Sequence, residues 1–184
     1  MALTASNMLA LGSALPRFAL PDGHGVFHAD SELAGPKGLL VIFICNHCPY
    51  VKHINAALAP MGEEFAALGV GMVAISANDI AQYPDDAPEH MVEVARAEGY
   101  TFPYLYDETQ AVAREFGAAC TPDLFLFDMH GRLVYRGQFD DTRPGGAPAT
   151  GEDIRHAVHA LSSGHPVVAD QRPSIGCGIK WKQA

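Results

Sequence analysis

Basic side chains are scarce in this chain. Its 12 Lys and Arg stand against 21 Asp and Glu, a net charge of −9 at neutral pH. A surface of that sign repels phosphate, so a nucleic-acid partner is not expected. Long apolar runs are missing too: none reaches the roughly 18 residues of a membrane span, and no membrane partner is expected. The first 15 residues are mildly apolar, but the first basic residue is Arg17. A secretory leader needs a basic start, so the expected location is cytoplasmic. Cysteine is sparse, with four in 184 residues. In a reducing compartment that number points to catalytic or metal-binding thiols rather than a structural disulfide frame. Repeats, low-complexity blocks and linkers are also absent. Residues 1–184 are therefore read as one domain, with 164–184 as a C-terminal tail.

Apolar residues make up 48% of the chain and charged ones 18%, ordinary for a globular domain. Residues 12–28 carry short apolar groups broken by Pro16, Pro21-Asp22-Gly23 and Gly25, which predicts an N-terminal β-hairpin turning at Asp22-Gly23. Residues 39–44 are apolar without alternation and follow the turn Pro36-Lys37-Gly38. Such a run fits a strand buried on both faces. The spacing of Ile54, Leu58, Met61, Phe65 and Leu68 predicts a helix over 49–68, kinked at Pro60. A second buried strand is expected at 70–76, and an exposed polar loop at 78–88 with Asp85-Asp86 in solvent. Helices at 88–98, 109–116 and 151–161 and strands at 102–106, 124–128 and 133–135 complete the pattern. The alternation implies an α/β fold, a largely parallel central sheet made mixed by a late hairpin and flanked by helices. Ligands of such sheets sit beyond the carboxyl ends of strands, where Cys45-Asn46-His47-Cys48-Pro49 falls.

A thiolate, not a thiol, is the nucleophile, and a helix N-terminus lowers its pKa. Cys48 stands at such a start, just before Pro49, with His47 adjacent and Lys52 one turn on as possible cations. Cys45 completes a Cys-x-x-Cys and is either a partner thiol or a core residue. The second constellation is Cys120-Thr121-Pro122-Asp123, ahead of a strand. Proline there forgoes a ladder hydrogen bond, and a cis Thr121-Pro122 bond facing Cys48 accounts for it.

Together these residues resemble the thioredoxin superfamily. Within it the chain is similar to the alkyl hydroperoxide reductase/thiol-specific antioxidant (redoxin) branch, and to its peroxiredoxin-like group carrying Cys-Asn-His-Cys-Pro-Tyr-Val. Pro16-Arg17-Phe18-Ala19-Leu20 resembles the opening redoxin strand, and Pro173-Ser174-Ile175-Gly176-Cys177 that group's ending. The resemblance implies a thioredoxin-like fold and Cys48 as the attacking cysteine of an antioxidant thiol oxidoreductase, with Thr121-Pro122 matching the proline that contacts a substrate disulfide. It implies no cofactor. The expected partners are a small peroxide or a protein disulfide, plus an unidentified thiol reductant. Peroxiredoxins place Thr or Ser where this chain has Cys45, and Arg where it has Pro122. Thioredoxins place a second cysteine where it has Val51. Both substrate classes therefore stay open. So does the resolving cysteine, in the order Cys45, Cys120, Cys177, the last on a glycine-flanked and flexible tail.

Two other readings remain. Cys45, His47, Cys48 and Cys120, with His53 near, are ligands suited to Zn or Cu(I), as in a metal-binding thioredoxin-like protein. A redox-inactive interaction scaffold is the other. The remaining histidines are read as solvated, Arg136 and Arg143 as distant candidates for a cation at the thiolate. The helix-start position makes one expectation measurable. In competitive labelling at neutral pH, Cys48 is expected to alkylate before the other three cysteines, and labelling led by Cys120 or Cys177 would sink the assignment.

Overall fold

In the computed structural model, which describes residues 3–183, strand β1 (Leu3–Ala5) precedes the expected hairpin of β2 (Ala19–Pro21) and β3 (Phe27–Ala29). The hairpin closes where the Asp22 N–H donates to the Val26 carbonyl. There follow α1 (Asp30–Leu33), β4 (Gly38–Phe43), α2 (Pro49–Leu58), α3 (Met61–Ala67) and β5 (Val70–Ser76). A 3-10 turn (Pro84–Asp86) leads to α4 (Pro88–Glu98), β6 (Tyr104–Tyr106) and α5 (Ala111–Glu115). The last elements are β7 (Cys120–Thr121), β8 (Asp123–Asp128), β9 (Leu133–Gly137), α6 (Glu152–Ser162) and β10 (Ile175–Gly178). No helix among the described residues is long and apolar enough to cross a membrane.

The central sheet is mixed. β4 pairs antiparallel with β8 from Gly38↔Asp128 to Phe43↔Asp123, and β8 pairs antiparallel with β9. β5 pairs parallel with β6, and the Ile44 N–H donates to the Ile75 carbonyl at 3.0 Å, tying the end of β4 to β5. The expected mixed sheet is borne out, and β8, which runs against both its neighbours, supplies its antiparallel part. As expected, every residue of β4 is buried. Leu40 and Ile42 face Val51, Leu58, Phe65 and Val158 of α2, α3 and α6. Leu39, Val41 and Phe43 face Phe18, Val112 and Phe116 on the other side. Each large apolar side chain so covered contributes about 1.5–3 kcal/mol.

Three expectations need correction. The helix predicted over 49–68 is two: α2 stops and Pro60 caps α3, because a proline inside the pattern removes a hydrogen bond and crowds the preceding turn. The tail is not loose. β10 lies antiparallel between β1 and β7, in the registers Leu3↔Cys177 and Cys177↔Thr121. Gly176 permits that approach, since a Cβ there would stand 2.1 Å from the Thr121 carbonyl oxygen. The loop at 78–88 is not simply exposed either, for Asn78, Asp79 and Asp86 are buried.

Phe116 holds the second core together. Its ring meets Phe43, Phe125 and Phe127 edge-on, at centroid separations of 5.3, 5.5 and 5.8 Å. Phe116→Ala is expected to cost about 3–5 kcal/mol in urea denaturation, and a loss below about 1 kcal/mol would show that this cluster adds little.

Candidate active site

β4 ends two residues before Cys45, and the chain turns through Asn46 and His47 so that Cys48 becomes the N-cap of α2. Pro49 takes the first helical position, where a missing N–H costs nothing. The Cys48 thiol donates to the Thr121 carbonyl at 3.1 Å. The thiols of Cys45 and Cys177 share its buried cluster and act on its ionisation. Cys45 Sγ lies 3.4 Å from Thr121 Oγ1 and 3.9 Å from His47 Nδ1. The Thr121-Pro122 bond is cis, as expected. All four cysteines are free and buried.

The two sulfurs of the Cys-x-x-Cys divide one proton unequally. The Cys48 pKa is held down first by the hydrogen bond from Cys45, then by Cys177, Thr121 and the Val51 N–H, against the opposing effect of burial. Cys45 is pushed up by that same bond, by burial and by the charge of Asp86. Protonated, Cys48 donates to a carbonyl; ionised, it needs donors, and Cys45 is the main one.

A buried carboxylate pins the turn. Asp86 Oδ1 accepts from the backbone N–H of Asn46 at 2.8 Å and of His47 at 3.3 Å. Its Oδ2 accepts from Asn78 Nδ2 at 2.8 Å and His47 Nδ1 at 2.7 Å. The His47 ring stacks on Tyr83, centroids 5.3 Å apart, and the Tyr83 face also receives Lys180 Nζ at 5.5 Å. Asn46 is clamped by the Tyr104 hydroxyl and the Asp85 carbonyl. The Asp86 hydrogen bond raises the His47 pKa, although burial opposes it. For Asp86, burial acts upward, but the bonds from His47 and Asn78 outweigh it and the net shift is downward. Both shifts favour the ion pair, an imidazolium facing a carboxylate.

The sequence-predicted residues are therefore brought together in part. Cys45, Cys48, Thr121 and Cys177 converge. Asp86, expected in solvent, is fully buried, and its cluster with Asn78, Tyr83 and Lys180 was missed; the only sequence signal was the doubled aspartate. Lys52 is exposed, and only its backbone N–H reaches Cys48, at the carbonyl oxygen. His53 turns to Thr142, 2.8 Å away. Cys120 donates to the Pro122 carbonyl at 3.5 Å, and burial and Asp123 push its pKa up. Arg136 bonds Gln171 and the Leu9 carbonyl, and Arg143 bonds Gln138, so neither guanidinium is committed to the thiolate. Cys45, His47 and Asp86 offer three ligand-type atoms within 4.8 Å of one another. Both oxygens of Asp86 already accept two N–H groups each, and His47 Nδ1 serves one of them.

The AhpC/TSA family profile matches residues 11–136. No curated protein matches the chain. Among solved structures, an uncharacterized conserved protein from Geobacillus kaustophilus is 49% identical, with TM-score 0.97 over 100% of this chain and 98% of its own. A hypothetical protein from Sinorhizobium meliloti 1021 is 47% identical, with TM-score 0.95 over 98% and 100%. Peroxidoxin BcpB from Mycobacterium tuberculosis shares the fold at 18% identity, with TM-score 0.62 over 83% and 96%. The chain belongs to the AhpC/TSA family of thioredoxin-fold redoxins, and thiol-based oxidoreductase chemistry goes with that membership.

The His47–Asp86 pair yields a pH prediction. His47 has a raised folded-state pKa, so its contribution to stability is complete below about 6.5 and is lost as pH climbs through the raised value. The lowered Asp86 contributes above about 3.9 and fails only as pH drops through its depressed value. Asp86→Asn is expected to cost about 3–5 kcal/mol at pH 5.5, because it strips a buried charge of its partner. Urea denaturation should show that penalty shrinking by pH 9. An equal penalty at every pH would mean that His47 is neutral throughout.

Proposed function

We propose that this AhpC/TSA-family chain is a thiol–disulfide oxidoreductase in which Cys48 attacks and Cys45 resolves. The Cys45–Cys48 pair at the head of α2, with both sulfurs in contact with Thr121, carries this reading. The Cys48 thiolate attacks one sulfur of a substrate R–S–S–R′; the Cys48–SR bond forms and R′S⁻ leaves. Charge has then gone from Cys48, and with it the main influence holding the proton on Cys45. Cys45 gives that proton to the departing thiolate and attacks Cys48 Sγ, forming the Cys45–Cys48 disulfide and expelling RS⁻. The substrate gains two electrons, and an external thiol reductant restores the dithiol.

One observation favours a second oxidant. Cys48 is 0% exposed, which admits a hydroperoxide more readily than a protein disulfide. Attack on ROOH gives Cys48–SOH and ROH, and condensation with Cys45 gives the same disulfide plus water. Against this stand Cys45 and Pro122 at the positions where peroxiredoxins place a hydroxyl and a guanidinium to handle the peroxide.

Two measurements test the reading. The reduced protein is mixed separately with glutathione disulfide and with hydrogen peroxide at equal concentration, and Cys48 oxidation is followed by mass. Disulfide should react faster; peroxide ahead by about tenfold or more would reverse the assignment of substrate. Cys45→Ala removes the principal donor to the thiolate, so the pH profile of Cys48 alkylation should move up by about one unit or more. An unmoved profile would show that Cys45 does not tune Cys48.

A further inference from the structure

One residue touches two of the converging thiols and is the strand partner of the third cysteine. Thr121 accepts from Cys48 through its carbonyl at 3.1 Å, meets Cys45 Sγ with its hydroxyl at 3.4 Å, and pairs across the β7–β10 ladder with Cys177. All three side chains belong to one buried cluster around Thr121. A charge on Cys48 acts on both Cys45 and Cys177, as expected of the sulfur that neighbours each of the others. All three residues are buried, Cys177 least so at 4%. Cys177 is not on a loose tail that must swing in, because β10 is hydrogen-bonded on both edges.

We infer that Cys45, Cys48 and Cys177 form an intramolecular disulfide relay, in which Cys177 takes Cys48 from Cys45 and presents the oxidised bond to the external thiol reductant. The relay rests on the assignment of Cys48 as the reacting thiol. Thiol–disulfide exchange needs an attacking sulfur, a central sulfur and a leaving sulfur in a row, and Cys48 as the common neighbour supplies the central one. Starting from the Cys45–Cys48 disulfide, the Cys177 thiolate attacks Cys48 Sγ. The Cys48–Cys177 bond forms, the Cys45–Cys48 bond breaks, and Cys45 leaves as a thiolate that takes up the proton Cys177 gave up. No net electrons move in this step. A small-molecule or protein thiol R″SH then attacks Cys177, the least buried of the three residues. Cys48 departs, and as the group whose ionised form is best stabilised here it leaves readily. A second R″SH releases R″S–SR″ and returns Cys177 to the thiol. Lys180 lies on the same strand end, and its charge favours the Cys177 thiolate, although burial and the Cys48 hydrogen bond hold that thiol's pKa above the usual value. The Pro173-Ser174-Ile175-Gly176-Cys177 segment thereby acquires a role: Gly176 lets β10 close onto Thr121, and Cys177 follows it into the site.

The test is peptide mapping of the full chain after oxidation with diamide, followed by acid quenching. The wild type should hold both Cys45–Cys48 and Cys48–Cys177 linkages. Cys45→Ser should still form Cys48–Cys177, and Cys177→Ser should form only Cys45–Cys48. Reduction of that trapped disulfide by the bulky thiol of a reduced thioredoxin should be slower than in wild type by about tenfold or more. Cys177→Ala, with the reduced-state thermal midpoint measured by circular dichroism, guards against a folding defect. A Cys45→Ser protein that never links Cys48 to Cys177, while Cys177→Ser still links Cys45 to Cys48, overturns the relay and leaves the dithiol reading intact. If Cys48 enters no disulfide in any of these proteins, the assignment of Cys48 falls, and the relay with it.

Discussion

The antiparallel ladder between β4 and β8 decides where the reacting groups meet. Its register ends at Phe43↔Asp123, so β4 runs out toward Cys45 and Cys48 at the very edge where β8 begins after Thr121-Pro122. Had β8 run parallel to β4, its start would lie beside Gly38, about five residues and 17 Å from the Phe43 end that leads to the cysteines. The burial of β4 on both faces locks this register, because a slip by one residue would exchange Leu40 and Ile42 for Leu39, Val41 and Phe43 between two differently shaped cores. Packing of the sheet and placement of the chemistry are one constraint.

A second constraint is electrostatic. The turn from Cys45 to Cys48 has backbone N–H groups that β4 no longer satisfies, and a buried Asp86 takes two of them. Burying a carboxylate is tolerable only when it is well paired, and His47 and Asn78 supply the remaining donors. The consequence for the thiols is asymmetric. Asp86 raises the Cys45 pKa, while Cys48, on the far side of the turn, is served by Cys45, Cys177 and the Val51 N–H. A residue that organises the backbone thereby also helps decide which sulfur keeps the proton.

What was legible in the sequence had short-range causes. The apolar run of β4, the helix start at Cys48-Pro49, the hairpin around Asp22 and the proline before β8 each follow from local backbone chemistry. Pro60 announced a disturbance, but whether a proline kinks or divides a helix depends on what the flanking segments pack against. The site's remaining parts lie far apart in the chain. Asp86 reads as a solvated residue among prolines until tertiary contact brings Asn46, His47 and Asn78 around it. β10 has four residues, two of them glycine, and so no apolar alternation to mark it. Its burial comes from pairing with β7 and β1, which local reading does not reach.

Three neighbouring thiols raise a question of order: what stops all of them from reacting at once. A negative charge on Cys48 raises the pKa of both Cys45 and Cys177, so while Cys48 is ionised its neighbours remain thiols and are poor nucleophiles. Once Cys48 is covalently bound, that charge is gone and either neighbour ionises more easily. On the proposed assignment the middle sulfur reacts first, and its reaction arms the other two. The same coupling works in reverse. Reduction that frees Cys48 as a thiolate draws a hydrogen bond from Cys45 and from Cys177, and both are silenced again. A hydroxyl in place of Cys45 would also donate to Cys48, but it could not answer the loss of charge by becoming a nucleophile. The cysteine at this position thus gives the site a partner whose reactivity is set by the redox state of Cys48 itself.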